Sequence, residues 1–163
     1  MNGAAILTSK APIRRRILCF GNPLHGDDGF GAAVFAHLAD QRRPENLALF
    51  EAGTPGPAAL ALFEDCDEVV VVDALAPAGT PGRIARPCVD RIVAESVPAA
   101  HGMGLGYVLQ AVAALPGPKP AIAIIGAEAA SHRPFQPGLS PAVARAAREV
   151  AQMLAPWFEV SNG

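Results

Sequence analysis

Ile17-Leu18-Cys19-Phe20-Gly21-Asn22-Pro23-Leu24-His25-Gly26-Asp27-Asp28-Gly29-Phe30-Gly31 reads as a short apolar strand, a glycine-rich polar turn and the start of a helix. Phe30, Val34 and Leu38 then recur at the i, i+4 spacing of a helix face that packs on a core. A strand that enters a helix through such a turn is the building unit of a parallel α/β sheet. The turns of such sheets gather at the carboxyl edge, where ligands bind. This turn carries two adjacent carboxylates, Asp27 and Asp28. Capping of the following helix explains one of them, because a carboxylate there accepts backbone N–H bonds and meets the positive dipole end. The other is surplus to that need.

The same alternation runs through the rest of the chain. The first strand covers about Arg16 to Phe20 and the first helix about Asp28 to Ala39. Gln41 to Asn46 is a polar turn, Leu47 to Phe50 a second strand leading into Glu51-Ala52-Gly53-Thr54, and Pro57 to Phe63 a short helix. Glu68-Val69-Val70-Val71-Val72-Asp73 sets four valines in a row without alternation, the pattern of a strand buried on both faces. Gly82 to Arg86 predicts a short edge strand, and residues 90–103 read as irregular or weakly helical. Leu105 to Leu115 forms a helix stopped by Pro116-Gly117-Pro118, and Ala121 to Gly126 a second buried strand. Ser140-Pro141 pairs an N-cap residue with proline at the first helical position and opens a last helix reaching about Phe158. The expectation is one α/β domain over residues 15–160, with a mostly parallel sheet covered on both faces, behind a loose tail over residues 1–14.

Composition narrows the class. A chain of 163 residues, 51% hydrophobic and only 6% aromatic, can bury a substantial and mainly aliphatic core. Its net charge of −2 provides no basic footprint for nucleic acid or an anionic membrane. Cys19, Cys66 and Cys88 show neither Cys-x-x-Cys pairing nor zinc spacing, and so sparse a count suits a reducing compartment. Arg14-Arg15-Arg16 follow the apolar Ala4-Ala5-Ile6-Leu7 where a signal peptide has its charge first, and no apolar run approaches a bilayer's thickness. A soluble, cytoplasmic protein is expected.

Acidic residues recur where the predicted strands end. The first strand leads to Asp27 and Asp28, the second to Glu51 and the valine strand to Asp73. His101 stands before the next helix in Ala100-His101-Gly102-Met103-Gly104. If these loops meet, carboxylates and an imidazole face one crevice, an arrangement that needs a proton or a cation to neutralise it. Such a donor set suits a divalent ion such as nickel, zinc, manganese or iron, with coordination positions left for substrate or water. Singly, each residue also has a plainer use as a cap or a solvated loop acid. His25, His37 and His132 read as bystanders.

The order of these motifs resembles one family. Gly21-Asn22-x-Leu24-x-x-Asp27-Asp28-Gly29-x-Gly31, the acidic Glu51-x-Gly53-Thr54 segment, the valine strand ending in Asp73, His101 and Gly138-Leu139-Ser140-Pro141 are similar to the nickel–iron hydrogenase maturation proteases. The similarity runs over about residues 14–158 and implies a three-layer α/β/α sandwich with a twisted, mostly parallel sheet. It also implies an endopeptidase that removes the C-terminal extension of the hydrogenase large-subunit precursor after nickel insertion. The family's metal-binding positions fall on Asp28, Asp73 and His101, with Asn22, Asp27 and Glu51 in supporting places. The resemblance further implies that nickel is brought by the precursor, so that the free protein carries none. Cys19 stands where the family often has glycine, and Glu51-Ala52-Gly53-Thr54 replaces the usual Asp-Gly-Gly-Thr.

Other readings compete. A phosphoacceptor domain needs a lysine after a late strand, whereas Lys119 precedes one. A peptidyl-tRNA hydrolase shares the Gly-Asn-Pro turn but needs a basic face. A P-loop needs Gly-Lys-Ser/Thr after its glycines. A non-enzymatic, nickel-sensing module that docks the precursor stays open. Without a legible Ser-His-Asp or Cys-His set, metal-assisted hydrolysis is the expected chemistry. The loops over residues 75–103 and 127–139 are expected to select the substrate.

Overall fold

The valine run is the centre of the sheet. In the computed structural model, which describes residues 11–96, 104–131 and 133–159, strand β3 (Glu68–Leu75) lies between β1 (Arg15–Phe20) and β5 (Ala121–Glu128), parallel to both. Strand β2 (Leu47–Gly53) adds in parallel to β1 at one edge, and the two-residue β4 (Ile84–Ala85) pairs antiparallel with β5 at the other. The order among the described residues is β2-β1-β3-β5-β4.

Side-chain parity sends alternate residues of each strand to opposite layers. Ile17, Cys19, Val70, Val72, Ile125 and Ala127 pack beneath helices α1 (Phe30–Leu38) and α4 (Pro141–Leu154). Leu18, Phe20, Val69, Val71 and Ile124 pack on the other face, with the 3-10 segment Pro57–Phe63 and α3 (Leu105–Ala114). The side chains of Ile92 and Val93, from α2 (Val89–Ser96), close this second layer. Burial on both sides is why the valines need no polar alternation. The three-layer architecture implied by the motifs is present. None of the helices among the described residues is long and apolar enough to cross a membrane.

Several boundaries differ from the sequence reading. Strands β2, β3 and β5 continue past the first polar or glycine residue, since Asp73, Ala74 and Leu75 keep pairing with Gly126, Ala127 and Glu128. A ladder is held by backbone groups, so a carboxylate does not end it. Gly26–Gly29 is a 3-10 turn, and the α-helix begins only at Phe30. Residues 89–96 form a regular helix where weak structure was expected. Gly106 lets α2 and α3 approach, since a Cβ there would sit 1.7 Å from Ser96 Oγ. Of the predicted tail, Ile13 and Arg14 are tied down: Asn46 donates to the Ile13 carbonyl at 2.7 Å, and the Arg14 amide donates to Asp67 at 2.7 Å.

Two glycines decide how the first turn meets the sheet. A Cβ at Gly31 would lie 1.9 Å from the Phe20 carbonyl oxygen, and one at Gly21, whose φ is +129°, would lie 2.0 Å from that of Asp28. Both obstacles are backbone atoms that cannot rotate away. Gly31→Ala should therefore cost at least about 3 kcal/mol and lower Tm by roughly 10 °C. Gly53→Ala, at φ +64° with open space around it, should cost only about 1 kcal/mol of backbone strain. Thermal and urea unfolding followed by circular dichroism checks the contrast.

Candidate functional site

The turn after β1 is built by its own backbone and by Asn22. The Asn22 side-chain oxygen accepts the Leu24 amide at 3.0 Å, an Asx turn, and the Asn22 carbonyl accepts the His25 amide at 3.1 Å. The Asn22 amide donates to one Asp28 carboxylate oxygen at 2.9 Å. Gly21 donates to the Gly53 carbonyl at 2.9 Å, which joins the end of β2 to the turn. Asp28 is half-buried, and its second oxygen has no hydrogen-bond partner among the described residues.

Neither carboxylate caps a helix. The 3-10 turn and α1 have His25 and Gly29 at their N-cap positions, with no side-chain cap bond at either. Asp27 is 3% exposed and binds across the molecule instead. It accepts the Ser140 amide at 2.6 Å, the Ser140 hydroxyl at 3.0 Å and the Ala130 amide at 2.8 Å. Ser140 does occupy the N-cap position of α4 with Pro141 after it, but its hydroxyl serves Asp27 and not the helix. Three donors satisfy a carboxylate that would otherwise be costly to bury.

Asp73 lies within β3, not at its end, and follows Val69 and Val71 toward the α3 face. Burial pushes its carboxyl up to about 7, the negative charge of Asp28 adds to the rise, and the Ala74 amide at 2.8 Å partly offsets both. The structure thus brings Asp28 and Asp73 within electrostatic reach of each other. His101 lies outside the described residues, as does His132. Among the described residues no three His, Cys, Asp or Glu side chains gather to hold a metal ion.

Glu51 stands apart from this pair. It is an exposed residue of β2, with Cys19 as its register partner, and it lines a cavity of about 260 Å³ beside Ala32 and Ala33 of α1. That places it on the face opposite Asp73, so the acids expected in one crevice divide between two. Its negative charge joins burial in pushing the Cys19 thiol up to about 12, burial being the larger cause. Cys19 and Cys66 are core residues and Cys88 is exposed.

The sequence reading missed Glu128. It is 2% exposed at the end of β5, accepts the Ala78 and Thr80 amides at 2.6 Å each, and pairs with Arg83 at 3.3 Å. Burial pushes its carboxyl up, but these donors outweigh it and hold the group below the usual range. It anchors the loop after β3. The acid after Ile124-Ile125-Gly126-Ala127 was the available signal, since a charged residue directly after a buried strand needs partners.

Comparison with known proteins gives a consistent picture. Residues 33–157 match the model of the hydrogenase maturation protease family, a span that includes Asp73 and begins after Asp28. The hydrogenase expression/formation protein HupD of Rhodobacter capsulatus is 30% identical over 162 residues, covering 93% of this chain and 77% of that protein. A candidate hydrogenase maturation protease of Methanocaldococcus jannaschii is 38% identical over 74 residues, 44% of this chain and 48% of that one, so this match spans about half the relative's length. The crystal structure of a [NiFe] hydrogenase maturation protease of Thermococcus kodakarensis superposes with a TM-score of 0.71 at 23% identity, over 89% of this chain and 92% of that chain.

The raised Asp73 carboxyl has a signed consequence for stability. Its contribution is fully present below about pH 4, where the unfolded chain also holds the proton, and is lost as pH rises to about 7. Asp73→Asn should flatten this slope, so that the stability difference between variant and native protein grows from pH 5 to pH 8 in urea titrations. Asp27→Ala should cost about 3–5 kcal/mol because it strands the Ala130 and Ser140 donors, whereas Ser140→Ala should cost about 1 kcal/mol. Chemical unfolding at pH 7 separates the two.

Proposed function

This chain belongs to the hydrogenase maturation protease family, and we propose that it removes the C-terminal extension of a nickel–iron hydrogenase large-subunit precursor after nickel insertion. The observation that supports this reading most directly is the Asp28–Asp73 pair, in which one carboxylate raises the proton affinity of the other. A pair of this kind is unfavourable until a cation replaces its proton.

In this reading the cation is the nickel already held by the precursor's cysteines, so it arrives as part of the substrate. Asp28 and Asp73 offer anionic oxygens. His101, three residues before the N-cap glycine of α3, offers an imidazole, and the mixed set suits nickel. Docked nickel supplies Lewis-acid chemistry at the scissile carbonyl or the attacking water. The protein's own residues do the positioning. The Asn22 amide holds one oxygen of Asp28 and leaves the other to face the precursor. Asp27 holds the turn itself. Asp73 releases its proton when positive charge arrives. A precursor without nickel brings nothing to displace the Asp73 proton or to engage the pair, so it docks poorly and cutting waits for the metal.

Intact-mass measurement on a nickel-loaded precursor tests this directly. The native protein should release a single C-terminal peptide in a nickel-dependent manner. Asp28→Ala and Asp73→Asn should stay folded and lose at least about 100-fold in rate. Full activity in Asp73→Asn would remove that residue from the ligand set. Complex formation on native mass spectrometry without cleavage would instead identify a docking module.

A further inference from the structure

Two adjoining cavities lie beside the Asp27–Asp28 turn, on the side away from Asp73. One of about 300 Å³ is bounded by Ser131, Arg133 and Gln136, the other of about 260 Å³ by Pro23, Ala32 and Glu51. They share Gly26, Gly138 and Leu139 and so form one groove. Its lining is poor in side chain (Gly26, Gly29, Ala32, Ala33, Gly138), which lets a ligand's main chain lie close to the protein.

One wall of the groove is a strap formed by the chain between β5 and α4. The strap is fastened at both ends to Asp27, through the Ala130 and Ser140 amides. In its middle, Gly26 donates to the Gln136 carbonyl at 2.9 Å, and His25 forms a bridge with Gln136. Gly26, at φ +60°, has Arg133 backbone within 4 Å of where a Cβ would be, so the turn and the strap are in contact. The strap is anchored, yet two of its side chains are spent on nothing visible. Arg133 is exposed and forms no ion pair or side-chain hydrogen bond among the described residues. Phe135 is 82% exposed at φ +58°, a costly conformation for a bulky residue, and its ring meets that of His25 in a T-shaped contact with centroids 5.3 Å apart. Leu24, 56% exposed, stands on the same turn as His25.

We propose that this groove binds an extended segment of the precursor's C-terminal extension, with a carboxylate of that segment on Arg133 and an apolar side chain reaching past the rim to the exposed Phe135 and Leu24, the chain neighbours of the lining residues Gln136 and Pro23. The inference rests on the protease reading and names where the released peptide lies. The charges support a peptide occupant. Glu51 at one end and Arg133 at the other do not suit a uniformly charged polymer, whereas a chain of mixed side chains matches both. The position supports it as well, because the groove wall includes Gly26 and Asp27, the residues directly before Asp28. A segment seated there passes within one turn of the proposed metal ligand.

Steady-state processing of nickel-loaded precursor by native protein, Arg133→Glu, Arg133→Lys and Phe135→Ala tests the proposal, with melting curves confirming that each variant folds. Arg133→Glu should raise KM about tenfold, as loss of one charged contact does, while kcat changes by less than about threefold. Arg133→Lys should stay near native and Phe135→Ala should raise KM several-fold. A precursor whose extension has its acidic residues changed to lysine should be a poor substrate for native protein and a better one for Arg133→Glu. Unchanged KM in both Arg133→Glu and Phe135→Ala, with native protein active, would overturn the groove assignment alone. If native protein cuts nothing, the protease reading fails, and fluorescence anisotropy with a labelled peptide of the extension still decides the groove. Binding that weakens about tenfold in Arg133→Glu supports the site, and no binding overturns it.

Discussion

A single buried carboxylate holds the working edge of this protein together. Asp27 sits in the first turn, yet its partners lie 103 and 113 residues further along the chain. Burying a charge is unfavourable unless its oxygens find donors, and here two amides and a hydroxyl serve both of them. The bonds fix where the turn after β1 sits relative to the strap after β5 and the start of α4. With Asp27 turned inward, its neighbour Asp28 is left on the side where the charge of Asp73 is felt. Adjacent acids in one motif therefore have different work, one in assembly and the other at the crevice.

Strand parity then divides the acids of the carboxyl edge. Asp73 follows Val69 and Val71 toward α3, whereas Glu51 pairs in register with Cys19 on the α1 side. The register of β1 against β2 shifts between Cys19 and Phe20, so that Ala52 is passed over and Phe20 pairs with Gly53. One face carries the Asp28–Asp73 pair, and the other a groove with a carboxylate and a guanidinium at its ends. The proposed metal and peptide sites lie on opposite sides of one turn because a sheet has two faces and the turn crosses between them. Glu128 repeats the Asp27 device two strands across the sheet, with the Ala78 and Thr80 amides closing the loop after β3.

Much of this architecture is legible in local sequence. The valine run, the strand-turn-helix at Ile17 to Gly31 and the proline-stopped helices report their structures through periodicity and breaker residues, which act within a few positions. Layering follows from the alternation of elements, because parallel strands need covered faces, whereas the strand order β2-β1-β3-β5-β4 is set only in the tertiary structure. The strand ends were not legible, since backbone pairing continues past a polar side chain whenever the neighbouring strand is long enough. Capping was expected of one member of the Asp27–Asp28 pair because local rules favour the nearest donors, and neither caps a helix.

The sequence by itself determined the α/β class, the single parallel-rich sheet, and the placing of Asp27, Asp28 and Asp73 near its carboxyl edge. These depend on short-range patterns of hydrophobicity and turn chemistry. Only the tertiary structure decided that Asp27 is a structural tie, that Glu51 faces away from Asp73, that Glu128 is buried, and that Arg133 and Gln136 line a groove beside the first turn. Each of those depends on which distant backbone amide or carboxylate arrives next to a side chain, and that is set by packing across the whole chain.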